Sequence, residues 1–157
     1  IGRLLYERIS HRFEVCTFLA NVREVSAKHG IVNLQKQLLS PILKEKFTQV
    51  SGYYGGSMMI KNCLWNKKVL LVLDDVDQLE QLELLVGDKR WFGAGSKVII
   101  TTRNQRLLVQ HDIAISHKVK GLNDAEALKL FCLHAFKKDQ PEEDFLELSK
   151  YFINHAG

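Results

Sequence analysis

Acids, hydroxyls and a guanidinium stand at the ends of two short apolar runs. Residues 67–77 read KKVLLVLDDVD, and residues 96–103 read SKVIITTR. The consecutive apolar residues Val69, Leu70, Leu71, Val72 and Leu73 predict a strand buried on both faces, because a strand with one wet face would alternate. Asp74 and Asp75 then fall at the carboxyl rim of a sheet, where open α/β sheets bind ligands. Carboxylates beside a sealed core cost desolvation unless a cation or hydrogen-bond donors compensate. A hard divalent ion carrying phosphate oxygens suits them, since Mg²⁺ takes one or two carboxylates plus phosphates. That is the chemistry of a Walker B strand end. An Asp-rich turn, which starts turns and caps helices, fits the same residues. This stretch alone leaves the two open.

The second run ends in Thr101, Thr102 and Arg103. An arginine at a strand end can hold a terminal phosphate bidentately, and its charge does not titrate away. A salt bridge to a neighbouring helix is the ordinary alternative. Two successive strands, one ending in carboxylates and the next in Thr-Thr-Arg, form a stronger constellation than either does alone.

The surrounding chain must hold these ends in place. Its 157 residues suffice for a sizeable core, and 46% hydrophobic with 25% charged content is ordinary for a globular chain. A net charge of +4 with scattered Lys and Arg describes a solvated exterior, and no nucleic-acid partner is expected. No apolar run reaches membrane-spanning length and no signal peptide is evident. Cys16, Cys63 and Cys132 are odd in number and lack C-x-x-C spacing, which points to free thiols in a reducing compartment. The Cys132-Leu133-His134 run is too short for a metal motif.

Periodicity places a helix over residues 3–13, a buried strand over 14–19, and a polar loop with a helical turn over 21–30. Residues 31–47 form one amphipathic face with Pro41 inside it, where a kink is expected. Gly52, Gly55 and Gly56 flank Tyr53 and Tyr54 in a stretch read as a surface loop, followed by a short helix over 58–65. No strand precedes these glycines and no Lys-Ser/Thr follows, so they do not form a phosphate loop. A helix follows Asp77 and ends at Gly87, and Trp91 anchors the next turn. Residues 114–120 alternate like an edge strand. Asn123 to Glu126 form a capping box opening a helix. Pro141 with its acids opens another helix, whose buried stripe is Phe145, Leu148 and Phe152. Alternating strands and helices give an α/β fold with a mostly parallel sheet.

Taken together the blocks resemble the plant NB-ARC domain of intracellular disease-resistance receptors. Residues 67–77 match its kinase 2 motif, residues 95–103 (GSKVIITTR) its next block, and residues 119–136 (VKGLNDAEALKLFCLHAF) the one after. FLANVREVS at 18–26, with Asp77 closing LDDVD, resembles the subclass that carries a TIR domain. The resemblance implies a P-loop NTPase-like parallel sheet flanked by helices over residues 1–120, and the start of a helical ARC subdomain over 121–157. It implies that Asp74 holds Mg²⁺ through its shell, Asp75 orients or activates the attacking water, and Arg103 senses the γ-phosphate of ATP. Thr101 and Thr102 line the same rim, with roles left unseparated. It further implies a switch between ADP-bound rest and ATP-bound signalling with weak hydrolysis. TIR and leucine-rich-repeat domains would lie in the parent chain, homo-oligomers would form on activation, and the location would be cytoplasm or nucleus.

The sequence departs from that family at the phosphate loop, for no Gly-x-x-x-x-Gly-Lys-Ser/Thr occurs in it. Ile1-Gly2 resembles a remnant of that loop, and Gly157 stops where a G-L-P-L-A motif would begin. A gene fragment lacking the first strand and the P-loop is the simplest account. Such a piece should bind nucleotide weakly or not at all. The family's sheet order puts the missing strand between the Asp74 and Arg103 strands, so a gap or irregular pairing is expected there, with poor stability. A P-loop ATPase of another branch, or a non-enzymatic remnant acting through protein contacts, are the alternatives.

Overall fold

The computed structural model describes residues 1–43, 52–113, 115–141 and 143–156. Contacts divide the chain into two compact units, Ile1–Ser116 and His117–Gly157.

The first unit is built on the run of apolar residues before Asp74. These residues form β2 (Val69–Val76), the middle of a three-stranded parallel sheet with β1 (Val15–Leu19) and β3 (Lys97–Thr102) on either side. Residues 69 to 73 are at most 2% exposed, as their unbroken apolar run requires. Their side chains alternate between faces. Val69, Leu71 and Leu73 join the main core with Leu34, Leu38 and Leu39. Val72 faces the start of α1 (Gly2–Ile9), where a Cβ added at Gly2 would lie 3.3 Å from Val72 Cγ1. A short 3-10 turn, Ser10–Arg12, carries α1 into β1. β1 is only half-buried, as an edge strand is, where a fully buried strand was expected. Its Phe18 lies edge-on to Tyr6, with Arg3 over its ring at 5.0 Å.

No gap separates the Asp74 strand from the Arg103 strand, contrary to the expected sheet order. β2 and β3 pair directly, in regular register from Leu70↔Lys97 to Leu73↔Ile100. Unpaired amides along two apolar strands are costly, and direct pairing satisfies them. Irregularity is confined to the carboxyl end, between Leu73 and Val76. The strand-pairing argument for poor stability is thereby removed.

Two stretches read as loops are helices. Residues Val22–His29 form α2: Val22 is buried on the core, and Lys28 bonds Glu24 one turn back at 2.6 Å. The glycine-rich stretch opens α4 (Gly52–Leu64), so the helix assigned to 58–65 starts earlier. Gly56 is there for close approach to α3 (Ile31–Leu43), because a Cβ on it would fall 2.0 Å from Gln35 Oε1. Helix α3 runs through Pro41. The Gln37 carbonyl, which an amide at position 41 would have served, accepts from the Ser40 hydroxyl at 2.9 Å. The expected extension of this helix to Phe47 lies outside the described residues.

Helix α5 (Leu79–Leu85) starts in a capping box made by Gln78 and Gln81 and ends before Gly87. Gly87 (φ +53) lies so close beneath the Trp91 indole that a Cβ would clash with it. α6 (Gln105–Gln110) follows β3, capped by Asn104, whose side chain accepts from the Arg106 amide. Residues 115–120 form no strand; alternation specifies a strand only where a sheet edge receives it.

In the second unit, α7 (Asp124–Ala135) opens with the expected box: Asn123 accepts from the Glu126 amide, and Glu126 accepts from the Asn123 amide. α8 (Leu146–Ala156) follows a 3-10 turn, Glu143–Phe145. Its stripe differs from the expectation, since Phe145, Leu148 and Phe152 are 43%, 50% and 52% exposed. Two short helices have too little surface to cover both faces. Phe152 nevertheless stacks on Phe131 at 6.2 Å.

Candidate functional site

The irregularity in the sheet falls at the two carboxylates. From Leu73↔Ile100 to Val76↔Thr102, β2 advances three residues while β3 advances two. Asp74 and Asp75 together therefore oppose Thr101, which is the geometry of a β-bulge. Asp75 takes φ +58, a left-handed conformation that aspartate tolerates better than most residues. The Thr101 hydroxyl serves both acids, donating to Asp74 Oδ1 at 2.7 Å and accepting from the Asp75 amide at 2.9 Å.

Thr102 does a different job. Its hydroxyl donates to the Val76 carbonyl at 2.7 Å and accepts from the Asn104 amide at 3.0 Å. Both bonds finish the strand and turn the chain into α6. Asp77 is likewise structural, because its carboxylate accepts from Gln81 Nε2 at 2.8 Å at the start of α5.

Arginines from two directions reach the Asp75 carboxylate, which is 24% exposed. Arg103 Nε lies 3.5 Å from Oδ1, and Arg23 Nε lies 3.1 Å from Oδ2. Arg103 follows β3, whereas Arg23 sits in the first turn of α2, after β1. The predicted residues Asp74, Asp75, Thr101 and Arg103 thus meet at one end of the sheet. Arg23 was not singled out. The signal available for it was positional: a basic residue just past the carboxyl end of a neighbouring strand, like Arg103. On the side of Asp74, a Cβ at Gly2 would lie 3.6 Å from Oδ1 and 3.6 Å from Thr101 Cγ2, so the first turn of α1 borders the same acid.

These donors fit part of a magnesium–nucleotide. A bulge that brings two carboxylates to one hydroxyl, with guanidiniums beside them, matches the metal-and-phosphate end of such a ligand. The amide cradle and its lysine have no counterpart in the sequence. No group of three or more His, Cys, Asp or Glu that could hold a metal by itself occurs among the described residues. A divalent ion here would draw most of its ligands from phosphate and water. The three cysteines are free.

The NB-ARC domain family model matches residues 5–141. The chain is 43% identical over 157 residues to Disease resistance protein RPV1 of Vitis rotundifolia, covering 99% of this chain and 11% of that protein. It is 41% identical over 148 residues to TMV resistance protein N of Nicotiana glutinosa, covering 94% of this chain and 12% of that protein. Disease resistance protein RPP5 of Arabidopsis thaliana is 38% identical over 159 residues, covering 100% of this chain and 11% of that protein. The parallel sheet flanked by helices is that of a P-loop NTPase-like α/β fold, and this chain belongs to the NB-ARC family. It spans 11–12% of the length of these curated relatives.

Proposed function

We propose that the chain is part of the nucleotide-dependent switch of a plant immune receptor, and that its sheet end faces the metal and phosphates of ADP or ATP. The observation behind this is the bulge that sets Asp74 and Asp75 against Thr101 with Arg103 on Asp75. Asp74 holds the magnesium through its shell, oriented by Thr101. Asp75 orients the attacking water, and Arg103 answers the γ-phosphate. Arg103 would be drawn from Asp75 by the third phosphate of ATP, which ADP lacks, and differential contact of that kind moves a two-state equilibrium. The residues before position 121 act as the nucleotide-binding part and those after it as the start of a helical subdomain. TIR and leucine-rich-repeat domains, and self-association on activation, belong to the parent protein. No helix among the described residues is long and apolar enough to cross a membrane.

Without an amide cradle the affinity is low, and binding matters more than turnover. With a dissociation constant of about 1 mM, 10 mM magnesium–ADP stabilises the chain by about 1.4 kcal/mol, a rise of a few degrees in Tm. Thermal unfolding with magnesium–ADP, against magnesium sulfate alone, is the test. The rise is expected in the native chain and smaller in Asp74→Asn. A folded chain whose Tm ignores nucleotide supports the second reading, a remnant acting only through protein contacts.

A further inference from the structure

Asp75 has one carboxylate and two guanidiniums, and the partners are unequal. Arg23 is closer, at 3.1 Å, and 47% exposed, while Arg103 lies at 3.5 Å and is 79% exposed. They bond different oxygens and come from opposite sides of β2, one after β1 and one after β3. A partly buried carboxylate that lost its sole partner would be left uncompensated, which is costly. With Arg23 in place, Arg103 can depart without that cost.

We infer that Arg23 is a positioning residue. It keeps Asp75 fixed in its left-handed bulge while the looser Arg103 transfers from Asp75 to an incoming phosphate. This deepens the switch proposed above and rests on it for the phosphate half, but not for the Arg23–Asp75 bond. The ion pair and the bulge support each other, because Asp75 at φ +58 aims its carboxylate from a position that an extended strand residue would not occupy.

The test follows the guanidinium Nε–H signals of the ¹⁵N-labelled chain. Without nucleotide, Arg23 Hε should exchange with water about two- to fivefold more slowly than free arginine, the span of exposed ion pairs. Asp75→Asn should abolish that protection while leaving the backbone amide spectrum folded. Magnesium–ATP should then shift Arg103 and leave Arg23 in place. In Arg23→Gln, Asp75 has only Arg103 left, so Arg103 exchange should slow and its response to magnesium–ATP weaken. Arg23→Lys, which keeps the charge, should restore both, an effect that a merely structural role would not produce.

Arg23 exchange equal to free arginine, or unchanged by Asp75→Asn, overturns the inference. So does a shift of Arg23 in place of Arg103. If neither arginine responds to magnesium–ATP, the nucleotide reading fails for this chain and the exchange of Arg103 fails with it. The Arg23–Asp75 hold is still decided by the nucleotide-free comparison.

Discussion

Thr101 holds the acidic pair through one oxygen, so small changes there separate chemistry from packing. Thr101→Val keeps the branched shape but removes the hydrogen bonds to Asp74 and the Asp75 amide. A loss of about 1–3 kcal/mol is expected, whereas Thr101→Ser should fall well short of it; urea unfolding of the two variants checks this. Another carboxylate sets a pH dependence. Asp88 accepts from the side chain and backbone of Arg90, and these bonds lower its pKa from 3.8 to about 2. A carboxyl depressed in the folded state contributes stability that is complete above the unfolded value and lost as pH falls through the folded one. The 3-10 turn at Lys89–Trp91 should therefore hold down to about pH 4 and loosen between there and about pH 2. A ¹³C titration of the Asp88 carboxyl reads this directly, and a midpoint near 3.8 would contradict it. At this scale the sequence showed Asp74, Asp75 and Arg103, because a sealed strand ending in charge is a local pattern. The difference between Thr101 and Thr102 was not legible, since it arises from one extra residue on β2. Arg23 was missed because its partner lies far along the chain, across a sheet whose pairing must be known first.

Helix α4 shows where local reading and packing part company. Three glycines among tyrosines suggest a loop by composition, yet the stretch is helical because Gly56 lets α4 press against Gln35 of α3. The Gln35 amide then bonds the Tyr53 carbonyl at 2.8 Å and the Leu84 carbonyl at 3.2 Å, tying α3 to α4 and to α5. Tertiary contact overrides propensity here. Neighbouring glycines should consequently respond in opposite directions. Gly56→Ala forces a methyl into Gln35 and should cost about 1–3 kcal/mol. Gly55→Ala meets nothing within 4 Å and should gain up to about 1 kcal/mol from helix propensity. Thermal unfolding of both variants decides; equal effects would mean that the α3–α4 contact is looser than described. The same limit explains α2, whose polar surface concealed a helix anchored by Val22. In contrast, β2, α5 and the α7 capping box were legible, since each rests on spacing within one segment.

On the scale of the whole chain, the α/β class and parallel sheet followed from alternating strand and helix patterns, but the strand order did not. Order depends on which strands are present to pair, and here β2 and β3 meet directly. The middle strand should dominate stability: Leu71 is fully buried, and Leu71→Ala should cost about 2–5 kcal/mol by urea unfolding. Function at this scale turns on whether a sheet end with acids, a hydroxyl and arginines retains any hold on a nucleotide when its sequence has no phosphate loop. Calorimetric titration of the chain with magnesium–ADP and magnesium–ATP measures that hold most directly. The expected result is a dissociation constant of about 0.1–1 mM, weakened further by Asp74→Asn and, for ATP, by Arg103→Ala. A micromolar constant, or binding indifferent to both substitutions, would place the nucleotide elsewhere and contradict the account.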